Sequence, residues 1–253
     1  MAELAQPVVS APPVEHEGEK TMTIMEHLQE LRMRLAVSAG SIVLMMVPGW
    51  FLYNWPYGGI FGILYDPIQR FGKLNYFGPL DGFTLQLKIS AVPGVVLSLP
   101  MLLYQMWAFI APGLTKRERK NSIPFVSLGL VLFLSGAYTG WRILPLATNF
   151  LLSFSTPDLQ PVIEANKWIS FVGIIMLIFG VSFELPLVLL FLCQIGVISS
   201  RWLIQKLRYS IFIIYVASLI ITPGADPISP LVLGTIMTGL YGLAIVLAKI
   251  IGK

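Results

Sequence analysis

Glu184 is the carboxylate with the most unusual setting, because apolar residues flank it on both sides in the segment FGVSFELPLVLLFLC. An ionisable group inside a membrane span costs about 2.5 kcal/mol or more, so such a group faces protein or water rather than lipid. The residue either serves a function, as an ion carrier or a contact for a partner, or is a protonated carboxyl hydrogen-bonded to a neighbouring helix. The sequence leaves both interpretations open.

A second group of ionisable residues lies at 25–35, in MEHLQELRMRL, immediately before the first apolar stretch. Glu26, Glu30 and Arg34 follow one another at four-residue spacing, which places them on one face of a helix. The spacing predicts an interfacial helix that runs into the first span, with an apolar stripe formed by Leu28, Leu31 and Leu35. By itself the spacing favours a surface ion pair between Glu30 and Arg34, which is worth only about 0.3–0.5 kcal/mol.

A third carboxylate, Glu118, lies in the segment TKRERK between two apolar stretches. It is the only acid among four cations, Lys116, Arg117, Arg119 and Lys120. A lone carboxylate in a basic cluster usually serves only to neutralise part of the positive charge around it. Local sequence alone therefore assigns Glu118 no function.

The residue types that the sequence contains argue against an enzyme. The only histidines, His16 and His27, precede the first apolar stretch, so intramembrane serine catalysis through histidine and zinc proteolysis through a His-Glu-x-x-His motif are excluded. No phosphate-binding Gly-x-x-x-x-Gly-Lys-Ser/Thr motif is present. The single cysteine, Cys193, lies in an apolar run and suits packing. We expect no catalytic activity, no metal and no cofactor.

The composition is that of an integral membrane protein. Of 253 residues, 56% are hydrophobic and only 12% are charged, with a mean hydropathy of +0.78, whereas soluble domains carry about 25% charged residues. We predict one all-α membrane domain at 23–250, preceded by a disordered tail at 1–22 and followed by a short tail at 251–253. Both tails are predicted to be cytoplasmic.

Six apolar segments could cross a bilayer. Since a span needs about 20 residues, four are clear, and the last two are short, with lengths of about 22–26 Å against a hydrocarbon core of about 30 Å. We therefore predict six transmembrane helices, at 35–53, 85–111, 122–148, 168–195, 207–221 and 231–247. The Gly-, Pro- and aromatic-rich segment 54–84 predicts an external cap with a short helix at 58–66.

The basic residues predict the orientation of these spans, because short cytoplasmic loops hold an excess of Lys and Arg. Twelve of the seventeen fall on one side of a six-span arrangement, so both termini are predicted to be cytoplasmic. This topology accounts for the net charge of +4 without a nucleic-acid partner. The twelve are Lys20, Arg32, Arg34, Lys116, Arg117, Arg119, Lys120, Arg201, Lys206, Arg208, Lys249 and Lys253.

Four motifs together resemble the TatC family, the polytopic core of the twin-arginine protein translocase. They are HLQELRMRL, LPMLLYQMWAFIAPGLTKRERK, FGVSFELPLVL and LIITPGADPISP, and they occur in the family's order across nearly all of 24–250. The segment from Tyr104 to Pro112, followed by Glu118, is the most specific part of the resemblance.

The resemblance implies six helices in the cytoplasmic (inner) membrane and a role in moving folded proteins across it. It implies that Glu30 and Glu118 receive the two consecutive arginines of a signal peptide, with Arg32 and Phe109 beside them. It also implies TatA/TatB-type single-span partners, use of the proton-motive force and a homo-oligomeric receptor complex in the bilayer. Under this interpretation, the carboxylates at the start of the first span are a docking surface for guanidinium groups.

Further positions coincide with residues on which the family relies. Pro67 and Pro100 are expected to be structural, and the polar set Glu184, Thr222 and Asp226 is expected to lie in the membrane and bind a partner helix. The chain departs from the family at Pro230, where a polar side chain is common, so that role would pass to Thr222, Ser229 or Glu184.

A second class of function stays open at this point. The chain would instead be a proton- or ion-coupled secondary transporter of a small solute, with Glu184 as the carrier. Such a protein would take up its substrate into vesicles that contain no other subunit. The absence of a recognisable internal repeat weakens this alternative.

Overall fold

A computed structural model describes residues 24–54, 59–110, 122–156, 161–224 and 226–250. The described residues form an all-α membrane protein, whose only sheet is a pair of two-residue strands, β1 (Leu74–Asn75) and β2 (Ile163–Glu164). The helices are α1 (Ile24–Phe51), α2 (Gly59–Tyr65), α3 (Asp81–Ile110), α4 (Ser122–Leu152), α5 (Ala165–Phe183), α6 (Leu185–Gln194), α7 (Ser200–Gln205), α8 (Leu207–Ile221) and α9 (Ile228–Ile250).

Within this part of the chain, five helical segments are long and apolar enough to cross a membrane: α1, α3, α4, α5 together with α6, and α9. The sixth predicted span is the shorter helix α8, whose bounds match the predicted 207–221. The predicted interfacial helix and first span form one continuous helix, α1.

The last helix corrects one part of the fold prediction. It was expected to be short, but α9 has 23 residues and begins at Ile228, before the segment predicted from hydropathy. Pro230 lies in the first turn, where the backbone N–H groups have no intrahelical partner, so a proline is tolerated. The carboxylate of Asp226 caps this turn by accepting a hydrogen bond from the backbone N–H of Ser229 at 2.7 Å. Only α8 is therefore a short span.

The fourth predicted span is interrupted at Glu184, which separates α5 from α6. Pro186 follows in the first turn of α6. A proline supplies no N–H to the carbonyl four residues earlier and its ring crowds that carbonyl, so regular hydrogen bonding stops here. The break places Glu184 at the junction of the two helices.

Two ends of the bundle can be distinguished. At one end, the C-terminal turn of α3 meets the N-terminal turn of α4 and the helix α6, and the Trp107 ring lies 4.5 Å from that of Phe125 and 6.0 Å from that of Phe191. We call this the α3–α4 end, and α1 begins there because it runs antiparallel to α3, against which it packs. The opposite end, formed by α2, β1 and β2, is the cap end.

The cap predicted between the first two spans is held by side-chain donors from the bundle. The indole N–H of Trp141 donates to the carbonyl of Ile63 at 2.9 Å, and that of Trp168 donates to Leu64 at 2.9 Å. Pro67, which follows α2, is fully buried, a position that suits the structural role predicted for it. The predicted short helix is confirmed as α2, whereas the pairing of β1 with β2 was not predicted.

Small residues allow α4 and α5 to approach closely. A Cβ atom added to Gly136 would lie 2.5 Å from the carbonyl oxygen of Phe179, and one added to Gly180 would lie 2.8 Å from the Phe133 ring. Glycine at such contacts lets helix backbones pack tightly in a membrane. This contact fixes α5, which ends immediately before Glu184, against α4.

The short helix α8 leads to a first prediction, that the bilayer is thinner beside it than beside α9. At 1.5 Å per residue its 15 residues span about 22 Å, which is less than the hydrocarbon core of about 30 Å. A short span is accommodated by thinning or by association with other helices. Cryo-electron microscopy of the protein in lipid nanodiscs should show the thinning, and a variant with two extra leucine turns in α8 should abolish it. An unperturbed bilayer around wild-type α8 would contradict the prediction.

Candidate functional site

A groove at the α3–α4 end contains Glu30. Its carboxylate atom Oε1 accepts a hydrogen bond from Nε of Arg34 at 3.0 Å and a second one from Nη2 of the same guanidinium. Arg34 in turn donates from Nη1 to the side-chain oxygen of Gln105, at 3.1 Å, which joins α1 to α3. The ion pair predicted between Glu30 and Arg34 is therefore present.

The second oxygen of Glu30 has different surroundings. Oε2 is buried and has no hydrogen-bond partner among the described residues. His27 lies one turn earlier, and its Nδ1 atom is 3.8 Å from Oε2. The His27 ring stacks on Phe109 of α3, with 4.3 Å between ring centroids. Glu30 thus has one oxygen bonded to a guanidinium and one buried near the His27 ring.

The groove is wide enough for a side chain to enter. It has a volume of about 530 Å³ and is lined by Glu26, Gln29, Glu30, Met33, Arg34, Val37 and Gln105. The lining combines two carboxylates, one guanidinium and two amides with apolar side chains. Such a groove can accept a guanidinium together with the aliphatic part of an arginine.

The other residues predicted for this end differ in position. Phe109 lies near Glu30, because its ring stacks on His27, whose Nδ1 atom is 3.8 Å from the Glu30 carboxylate. Arg32 is exposed and lies two residues from Glu30, so it occupies another face of α1. Glu118 falls between the described ends of α3 and α4 and lies outside the described residues.

Glu184 lies deep in the bundle. Its side chain is buried, and neither carboxylate oxygen has a hydrogen-bond partner in the part of the chain that the structure describes. Oε2 packs over Gly129 of α4, where an added Cβ would lie 3.2 Å from it and 3.1 Å from the Leu103 side chain of α3. An unpaired buried carboxyl costs free energy, so this side chain needs a partner or a proton.

Thr222 and Asp226 form a separate site. Both are buried in the turn between α8 and α9, where Thr222 donates to the carbonyl of Ser218 at 2.7 Å and Asp226 caps α9. The turn packs near Phe171, because a Cβ added to Gly224 would lie 3.5 Å from that ring. About 20 Å of helix separates Phe171 from Glu184. The structure therefore does not bring the three predicted intramembrane polar residues together.

Two residues near that turn and in α3 complete the predicted set. Ser229, considered as a substitute for the polar residue replaced by Pro230, is fully buried, and its hydroxyl oxygen is unpaired within the described ranges. Pro100 lies inside α3 with an exposed ring. Ser229 therefore faces the protein interior rather than the surface of the bundle.

Sequence reasoning missed Gln105 and His27 as members of the Glu30 site. Gln105 is a polar residue in a strongly apolar helix, and this contrast was the available signal. His27 lies three residues before Glu30 and so shares its helix face. It was considered only as a catalytic base, for which its position is unsuitable.

The helices and polar groups described above define the class of the molecule: a polytopic membrane protein with a groove that contains carboxylates at one end and a buried carboxyl in its interior. The family model described as Sec-independent protein translocase protein (TatC) matches residues 26–235. The chain belongs to the TatC family, and its class of function is therefore protein transport across the inner membrane.

Relatives and solved structures agree with this family. The chain is 36% identical to the Sec-independent protein translocase protein TatC of Frankia casuarinae, over 89% of this chain and 65% of that protein. It is also 36% identical to TatC of Helicobacter pylori strain J99, over 89% of this chain and 88% of that protein. A crystal structure of the twin-arginine translocase receptor TatC in DDM superposes with a TM-score of 0.73 at 31% identity, covering 88% of this chain and 99% of that one.

Proposed function

We propose that this protein is the receptor core of a twin-arginine translocase, which binds the twin-arginine signal peptides of folded cargo proteins at its α3–α4 end. Transport then proceeds with TatA/TatB-type single-span partners and is driven by the proton-motive force. The observation that carries the proposal is the Glu30 carboxylate in its groove. The small-solute transporter is not favoured, since the family and the relatives are protein translocases.

The geometry of Glu30 supports recognition of arginine in particular. Its Oε1 atom already binds one guanidinium, that of Arg34, through two donors. The planar, permanently charged guanidinium suits a carboxylate better than the compact ammonium of lysine does. Oε2 has no such partner within the described structure and becomes available to an incoming arginine when the His27 ring turns away.

Glu118 is proposed as the second acid of the site. It belongs to the connection between α3 and α4, whose described ends both lie at the end of the bundle where Glu30 is found. Ser122 follows it by four positions, a distance of at most about 14 Å along the chain. The proposal therefore places both acids at one end, where two arginines of a single peptide would meet them.

Phe109 and Arg32 are proposed to flank the bound peptide. The Phe109 ring holds His27 and contributes an apolar surface beside the charged pair. Arg32 is exposed and does not line the Glu30 groove. At the surface it would increase the basic charge of this face. By the distribution of Lys and Arg, this face and both termini, including the tails at 1–22 and 251–253, are proposed to be cytoplasmic.

Single-span partners are proposed to contact the polar residues inside the membrane, Glu184 above all. Thr222 and Asp226 already bond within the chain, whereas both oxygens of Glu184 lack a partner in the described structure. Several copies are proposed to assemble in the receptor complex, since α1 exposes a long apolar face to the bilayer.

Photo-crosslinking tests this function. A signal peptide with a photoreactive residue beside its two arginines should crosslink to α1 and the C-terminal turns of α3, and a twin-lysine peptide should crosslink much less. Glu164→Gln provides the matched control, because it removes a carboxylate that pairs with Lys167 at the cap end. Crosslinks confined to the cap end would reject the proposed site.

A further inference from the structure

An open groove runs between α3 and α5, apart from the Glu30 site and from Glu184. It has a volume of about 290 Å³ and an almost wholly apolar lining. Phe133 and Ala137 of α4 form its buried floor, and Ile174 and Leu177 of α5 form an exposed wall. Because both wall residues are exposed and apolar in a membrane helix, the groove opens toward lipid.

One end of the groove carries a cation. Lys88 of α3 lies about 10 Å along the helix axis from Asp81, where α3 begins at the cap end. Its Nζ atom donates to the backbone carbonyl of Asn166 at 3.2 Å, so the amine points toward the start of α5. Since α3 has 30 residues, or about 45 Å, a hydrocarbon core of about 30 Å centred on it would end about 8 Å from each helix end. We infer that Lys88 lies near this boundary, where a lysine extends its stem toward the headgroups.

The charge of Lys88 is only partly balanced within the described residues. No carboxylate lies within salt-bridge distance of its amine there. Asp81 interacts with Lys88 electrostatically, but its Oδ2 atom already accepts hydrogen bonds from the backbone N–H groups of Phe77 and Gly78, each at 2.8 Å. The amine has three donors, one of which is used by Asn166. Lys88 itself lines the apolar groove, so the remaining donors are available to an anion bound there.

We propose that this groove binds an anionic phospholipid of the leaflet at the cap end, with one acyl chain between α3 and α5 and the headgroup phosphate on Lys88. Charge complementarity selects the occupant, because a cation at one end of an apolar channel matches the two parts of an anionic lipid. A neutral partner helix in the groove would leave the Lys88 ammonium without a counter-charge. The bound chain fills a gap in the bundle and holds α3 and α5 in their relative positions.

Native mass spectrometry of the purified full-length protein, with added phosphatidylglycerol or phosphatidylcholine, tests the site. Wild-type protein should retain phosphatidylglycerol preferentially. Lys88→Gln should lower this preference about fivefold, since one lysine near a membrane surface contributes about that factor. Lys167→Gln is the matched control, because that cap-end cation is paired with Glu164 at 2.8 Å and should leave the preference unchanged.

A second pair of variants tests the acyl-chain part of the site. Gly173→Leu should fill the groove without a clash, because an added Cβ would meet only Val92, at 3.9 Å. It should abolish retention of both lipids, whereas Gly239→Leu, in open space on α9, should not. Equal effects of the two lysine variants, or full lipid retention by Gly173→Leu, would overturn the proposal. The proposal would also be overturned if the Ile174→Cys variant retained no phosphatidylglycerol and crosslinked to a single-span subunit instead.

Discussion

Glu30→Gln is expected to lower the affinity for a twin-arginine signal peptide by about ten- to a hundredfold. The substitution keeps the shape of the side chain but removes the charge, and a hydrogen bond to a charged group contributes about 1.5–3 kcal/mol. Isothermal titration with a synthetic signal peptide measures the change. Wild-type affinity in Glu30→Gln would remove this carboxylate from the site.

Arg34→Gln separates the role of Glu30 from that of its ion pair. This variant keeps the carboxylate and removes the internal guanidinium that occupies Oε1. Because a pair at this spacing on a helix is worth about 0.3–0.5 kcal/mol, peptide affinity should change by only about twofold. A loss as large as that of Glu30→Gln would show that the ion pair, rather than the free oxygen, makes the site.

The second acid provides a charge-reversal series. Glu118→Lys is expected to weaken binding more than Glu118→Ala, since repulsion of the incoming arginines is added to the lost bond. The same peptide titration distinguishes the two variants. Equal losses would show that Glu118 contributes through shape and not through its charge.

Glu184→Leu is expected to impair assembly with single-span partners while leaving signal-peptide binding intact. Both oxygens of Glu184 are buried and unpaired within the described chain, so Leu should not weaken the fold. A partner that hydrogen-bonds this carboxyl would lose about 1.4 kcal/mol or more, which is at least a tenfold decrease in complex formation. The carboxyl must first turn away from Gly129, on which it packs.

Copurification and site-directed crosslinking of the partners measure the effect, with peptide affinity and thermal stability recorded in parallel. Glu184→Gln is the matched control, because it retains size and hydrogen-bonding capacity. Intact assembly and transport in Glu184→Leu would show that the carboxyl is tolerated and not used. A parallel loss of peptide binding would instead indicate damage to the whole bundle.

The sequence predicted the elements that depend on composition and on spacing along one helix. Hydropathy alone gave the bounds of α8, and four-residue spacing gave the pair of Glu30 with Arg34. It did not predict the length of α9, because the capping carboxylate of Asp226 and the tolerance of Pro230 in a first turn are local backbone effects that hydropathy does not measure.

Contacts between helices were harder to predict. Gln105 lies 71 residues after Arg34, and only the packing of α1 against α3 brings the two together. The stack of His27 on Phe109 arises in the same way. Conversely, the family resemblance grouped Glu184, Thr222 and Asp226 as intramembrane polar residues, but the structure places Glu184 apart from the other two, because a shared role in a family does not fix depth in the membrane.

The central claim, that paired carboxylates recognise paired arginines, is tested most directly by the ratio of affinities for a twin-arginine peptide and its twin-lysine counterpart. The wild-type protein should prefer the twin-arginine peptide by about tenfold or more, since each carboxylate can bind a guanidinium through two parallel hydrogen bonds. In the double variant Glu30→Gln/Glu118→Gln, this preference should disappear. Equal binding of the two peptides by the wild type, or an unchanged preference in the double variant, would contradict the account.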